Sequence, residues 1–257
     1  MPLAPDSCSP ELTMTPTRAL TLRLMATLAL GASGTAIADV APARAGAPPV
    51  VPPTQRLVIL ERTHDAFSRP DPRSTRLVTV HQQRPITGER TVLPILDDAT
   101  GADGRGWLRV MLPGRPNGHT GWIASRSTRY TVTRWRLLIE TSKRRVTVFS
   151  YGRAVRAFRA VVGRPSTPTP RGRFFVEETV QLSRDRVGAP FALALSARSE
   201  VLQQFDGGPG QIALHGLGNI GGVPGTAASH GCVRLDRRSI SWLAARIGPG
   251  VPVTITR

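Results

Sequence analysis

From Leu57 onward, apolar positions come in short runs with a period of two, broken by Gly, Pro, Asp and Asn. That is the pattern of β-strands joined by tight turns. "RLVIL" and "RLVTVHQQ" read as strands on either side of a "RPDPRS" turn. "TVLPILDDATGADGRGWLRVML" reads as a strand, a Gly/Asp loop and a strand carrying Trp107. "PGRPNGHTGWIAS" reads as a loop with an Asn-Gly turn, then a strand carrying Trp122. About five short strands in this stretch suit a small β-barrel, with Trp107 and Trp122 expected in its core.

Near Tyr130 a second β-rich unit begins. "WRLLIETSKRRVTVFSYGRAVRAFRAVVG" predicts three strands with turns at "SKRR" and "YGR". A Pro-rich loop, "RPSTPTPRG", leads into another strand, and "QIALHG" is a short apolar strand ending at His215 and Gly216. After a glycine-rich loop, "CVRL" is a further strand. One helix is expected: Asp236 can cap its start, Ile240, Leu243, Ala244 and Ile247 share a face, and Gly248 stops it before Pro249. "VPVTITR" alternates as a closing strand. The expected fold class is mostly β: a small β-barrel over 56–130, then a β-sandwich with one packed helix over 131–257.

Composition changes the picture at two points. The formal net charge is +17, and Lys143 is the only lysine. The arginines are scattered along strands rather than gathered on one helix, so nucleic-acid binding is not expected; attraction to an acidic polymer or membrane surface fits as well. At the N-terminus, Arg18 and Arg23 precede the apolar stretch Leu24 to Ala38, which ends on Ala36-Ile37-Ala38. This reads as an export signal over 1–38 with Met14 as the more natural start. Left uncleaved, it would anchor the chain to the membrane. An Ala/Pro-rich linker over 39–55 follows. Cleavage removes Cys8 and leaves Cys232 alone, so an internal disulfide is excluded.

Cys232 lies in "SHGCVRL", Ser229 to Leu235. A free thiol is mostly protonated at neutral pH and needs a base or a cation beside it to act as a nucleophile. His215 ends one strand and Cys232 opens another; if these strands are neighbours, imidazole and sulfur meet. His230 can line the pocket, and Gly231 permits a sharp turn that aims backbone N–H groups at a developing oxyanion. His215, His230 and Cys232 are also acceptable zinc ligands. The residues alone leave thiol catalysis, a metal and a structural role open.

The segment resembles the active site of the L,D-transpeptidase (YkuD-like) family: "HG" at His215–Gly216, a spacer, then "SHGCVRL", with "TPTPRGRF" at Thr167–Phe174 upstream. The resemblance covers roughly Thr133 to Thr256. It implies a peptidoglycan-modifying enzyme, exported to the periplasm or cell wall, that needs no cofactor. Cys232 would attack the third-residue carbonyl of a tetrapeptide stem, release D-alanine, and pass the acyl group to a second stem as a 3→3 cross-link. His215 would be the base, oriented by the Gly216 carbonyl. The N–H groups of Gly231 and Cys232, assisted by His230, would hold the oxyanion. Arg234 and Ser229 would meet the substrate. Carbapenem-type inhibitors would acylate Cys232. A carboxypeptidase-type hydrolase and a non-catalytic wall-binding protein are the alternatives. Separately, "GWLRVMLPGRPNGHTGWI" resembles a bacterial SH3-like domain.

Overall fold

A computed structural model describes residues 51–204 and 208–257. The export segment and most of the linker lie outside the described residues. The linker's end does not: Gln55 already belongs to a strand, and a Cβ on Gly152 would stand 2.6 Å from the Val51 carbonyl.

Seven strands, β1 (Gln55–Leu60), β2 (His64–Phe67), β3 (Arg76–Val80), β4 (Val92–Thr100), β5 (Gly106–Met111), β6 (Thr120–Ala124) and β7 (Thr128–Thr133), form an antiparallel sheet in the order β3-β2-β6-β5-β4-β1-β7. Their inward positions, among them Val58, Leu60, Leu93, Leu108, Val110 and Ile123, share one core. Each fully buried aliphatic side chain of this size contributes about 1.5–3 kcal/mol. Two strands escape the hydrophobic pattern. β2 places a histidine inward, His64, whose ring contacts the Arg62 and Arg126 carbonyls at 2.8 and 3.0 Å. β7 is mostly exposed. Trp107 is buried as expected, but Trp122 is only half-buried, because Gly121 and Ile123 hold the inward positions of β6.

The second sheet runs β10-β9-β8-β17-β12-β13-β14-β16. Its strands are β8 (Trp135–Glu140), β9 (Arg145–Ser150), β10 (Arg153–Arg159), β12 (Gly172–Gln181), β13 (Phe191–Arg198), β14 (Gln211–Gly216), β16 (Val233–Leu235) and β17 (Pro252–Thr256). The short strands β11 (Val162–Gly163) and β15 (Ala227–Ser229) pair in parallel beside it. The fold is therefore mostly β, with one helix among the described residues, α1 (Arg237–Ala244). The Asp236 carboxylate caps α1 by accepting from the Ser239 N–H at 2.9 Å. The helix ends three residues before Ile247, which is still buried. Ile240, Leu243 and Ile247 join the core of the second sheet with Leu214, Val233 and Leu235.

β12 serves both cores. Phe174 points into the second sheet's core and Phe175 into the first's, as period-two alternation requires. Glu177 faces the same way as Phe175 and is paired with Arg84 from the first sheet and with Arg198 from β13, the latter at 3.1 Å. Glu178 accepts from the Thr87 N–H and hydroxyl, both at 3.0 Å. These buried charges are compensated in place; a lone one would be strongly destabilising. Arg198 is nonetheless pushed down to about 10, first by burial and then by the charge of Arg115.

Candidate active site

β14 and β16 are parallel neighbours, with Leu214 beside Val233, His215 beside Arg234 and Gly216 beside Leu235. Paired residues on adjacent strands share a face. Ile212, Leu214, Val233 and Leu235 turn into the core. Ala213, His215, Cys232 and Arg234 therefore occupy the opposite face. Cys232 stands one step before the ladder, beside Ala213. His215 lies diagonally from it, at a Cα spacing of roughly 8 Å set by strand rise and separation, a gap two inward-leaning side chains can span. The expected adjacency of the two strands is thus present.

His215 is held from two sides. Its Nδ1 lies 2.8 Å from the Gly216 carbonyl, which can only accept, so Nδ1 carries the proton of the neutral ring and Nε2 keeps its lone pair. Behind the ring runs Gly188. It has φ +86°, and a Cβ there would fall 2.7 Å from Nδ1. The segment is clamped by Gly188 N–H to Gly218 O (2.7 Å) and by Gly216 N–H to Gly188 O (2.8 Å). Gly188 was not legible in the sequence, because its role depends on a strand reached 27 residues later in the chain.

The turn at Cys232 is built from hydroxyls. Ser229 is fully buried; its Oγ donates to the Cys232 carbonyl at 2.5 Å and accepts from the Gly231 N–H at 3.1 Å. Ser229 therefore shapes the turn, with its hydroxyl bonded on both sides. The Gly231 N–H, expected in the oxyanion hole, is engaged in that same bond. Gly231 itself needs its φ of +123°. The "TPTP" segment explains itself here. Thr167 Oγ1 donates to the Ser229 carbonyl at 3.2 Å, and Thr169 Oγ1 donates to the Gly231 carbonyl at 2.8 Å while accepting from the Gly163 N–H at 2.9 Å. Both threonines are buried and grip the turn's carbonyls across 62 residues of chain.

Cys232 opens on a small cavity lined by Ser199, Leu202, Gly210, Gln211, Ile212 and His230. The thiol faces the Gln211 carbonyl at 3.9 Å. His230 is exposed at the rim. Arg234 is buried, reaches the Gly221 carbonyl at 3.4 Å and has no carboxylate partner among the described residues. Burial pushes the Cys232 thiol above its ordinary value, and the opposing pulls of the Ala213 N–H and Arg234 do not offset it. Burial also pushes His215 below its ordinary value, against the Gly216 hydrogen bond and with help from the charge of Arg234. At neutral pH the site thus holds a neutral thiol and a neutral imidazole. Among the described residues no group of three or more His, Cys, Asp or Glu side chains is arranged to hold a metal.

The site thus combines a thiol on a firmly held turn with an imidazole of fixed tautomer on the neighbouring strand. Residues 134–255 match the family model of the YkuD L,D-transpeptidase catalytic domain. Among curated proteins, the YkuD protein of Bacillus licheniformis is 27% identical over 125 residues, covering 48% of this chain and 66% of that protein. L,D-transpeptidase 1 of Mycobacterium tuberculosis is 25% identical over 184 residues, covering 58% of this chain and 70% of that protein. Among solved structures, L,D-transpeptidase 3 of M. tuberculosis, in complex with a faropenem-derived adduct, aligns at 14% identity and a TM-score of 0.41 over 65% of this chain and 91% of that one. The family match and the curated relatives support a YkuD L,D-transpeptidase catalytic domain in this half of the chain.

Proposed function

We propose that the protein is an exported L,D-transpeptidase that forms 3→3 cross-links between peptidoglycan tetrapeptide stems. The observation that carries this reading is the β14–β16 register, which sets His215 beside Arg234, two positions on from Cys232, with His215 Nδ1 committed to Gly216. His215 Nε2 takes the thiol proton as Cys232 Sγ attacks the third-residue carbonyl. The tetrahedral oxyanion is held by the Cys232 N–H, with His230 at the rim. Its collapse breaks the bond to D-alanine, whose amine receives the proton from His215, and leaves a thioester. The side-chain amine of a second stem then attacks the thioester, His215 again moving the proton, and the free thiol returns. Arg234 supplies positive charge for a substrate carboxylate. The reaction needs no metal or organic cofactor. The first sheet is read as an SH3-like unit that positions the enzyme on the wall.

The direct test is mass spectrometry of purified tetrapeptide stems incubated with the full chain. The expected products are 3→3-linked dimers and free D-alanine. Tripeptide alone would mean that water resolves the thioester, making the protein a carboxypeptidase-type hydrolase. Intact stems would leave only a wall-binding role. A carbapenem is expected to add its full mass to Cys232.

The clamp on His215 yields a second expectation. Gly188→Ala forces a side chain into left-handed backbone, at about 1–2 kcal/mol, and presses on the imidazole. A base displaced by about 1 Å can cost on the order of a hundredfold in rate. Thermal unfolding should show a modest loss of stability and carbapenem acylation a large loss of rate. Wild-type acylation by this variant would remove Gly188 from the account.

A further inference from the structure

The β5–β6 loop of the first sheet reaches the wall of the Cys232 cavity. Arg115 Nη1 donates to the Ser199 carbonyl at 3.0 Å, and Nη2 reaches the carbonyls of Leu202 at 3.3 Å and Pro209 at 3.5 Å. Asn117, two residues on, pairs with the backbone of Arg198 in both directions: its Nδ2 donates to the Arg198 carbonyl and its Oδ1 accepts from the Arg198 N–H, each at 2.8 Å. Arg198 is the last residue of β13, and Ser199, Leu202 and Gly210 line the cavity. The loop therefore grips the wall where it leaves β13 and again where it enters β14.

The described ends of the wall meet beside the guanidinium. The Ser199 N–H donates to the Gly210 carbonyl at 2.8 Å, and Ser199 Oγ accepts from the Leu202 N–H at 3.0 Å. A Cβ on Gly210 would lie 2.1 Å from the Leu202 carbonyl and 3.4 Å from Arg115 Nη2. The next residue is Gln211, whose carbonyl faces the Cys232 thiol. The acceptors of Arg115 are diverging neutral carbonyls. A planar fork with five N–H groups can serve them together, whereas a lysine ammonium acts as a single compact charge.

We infer that Arg115, seconded by Asn117, is a positioning residue for the reaction at Cys232: through it the first sheet sets the shape of the cavity wall against which the acyl donor docks. The inference rests on Cys232 being the nucleophile. It gives the first sheet a part in the reaction that is separate from any binding of its own to the wall.

The test uses the full chain as wild type, Arg115→Ala, Arg115→Lys and Asn117→Ala. Three quantities are compared: the second-order rate of carbapenem acylation by intact mass, the rate of Cys232 alkylation by iodoacetamide, and the thermal midpoint. For Arg115→Ala, carbapenem acylation is expected to fall about tenfold or more, with iodoacetamide alkylation within about twofold of wild type. Arg115→Lys should fall between the two. The small alkylating agent needs only the thiol, so it reports whether Cys232 itself has changed. Wild-type carbapenem rates in Arg115→Ala would overturn the inference. So would a matching loss with iodoacetamide, since the effect would then be a general loss of the thiol site. Should Arg115→Ala fail to fold, Arg115→Lys and Asn117→Ala carry the same comparison, and wild-type rates in both would overturn it. Failure of the wild type itself to be acylated or to turn over stems would instead overturn the assignment of Cys232.

Discussion

A Cys232→Ser variant should keep its fold and lose carbapenem acylation and stem turnover by roughly three orders of magnitude or more. Sulfur and oxygen are close in size, and the contacts that form the turn come from Ser229, Thr167 and Thr169, not from the thiol. The chemistry is what changes. The thiol already sits above its ordinary value because it is buried, so in the proposed mechanism it reacts as His215 removes its proton. A serine hydroxyl is a far weaker acid, and a base whose affinity for protons has been lowered by burial cannot make up the difference. Intact mass after carbapenem treatment and stem products by mass spectrometry are the readouts, with the thermal midpoint as the control for folding. Retained cross-linking by a folded Cys232→Ser protein would end the assignment of Cys232 as nucleophile.

His215 governs the second large effect. Replacing it with glutamine removes the base, with an expected loss of about 10²–10⁴-fold. The pH profile of the wild type separates this from a packing defect. With His215 as the proposed base, the neutral imidazole is the active form, so the rate is expected to fall as pH drops and His215 gains a proton. Burial lowers its pKa, so that fall belongs below the ordinary imidazole value of about 6.5, and the enzyme stays active into mild acid. The same shift costs stability in acid: the unfolded chain binds the proton more readily, so stability is present above the ordinary imidazole value and is lost as pH falls below it. A rate profile flat through this range, or a His215→Gln variant as active as wild type, would remove His215 as the base.

The strands "QIALHG" and "CVRL" are legible as short apolar runs, but whether they are neighbours is not; their parallel pairing in register is decided by the fold. The sequence does not show how the turn is held: the Ser229 hydroxyl is bonded on both sides inside it. One of those bonds takes up the Gly231 N–H.

What the sequence determines by itself is local: the period-two strands, the Asp236 cap of α1, the turn residues and the His215 and Cys232 motifs. Each depends on neighbours within a few positions of chain. What only the tertiary structure decides is carried by contacts between distant segments. Thr167 and Thr169 hold a turn 62 residues away, Gly188 backs an imidazole on another strand, and Arg115 bonds carbonyls 84 to 94 residues on. No spacing rule links such partners. Their pairing exists only once β12, β13, β14 and β16 lie side by side and the first sheet has packed against β12.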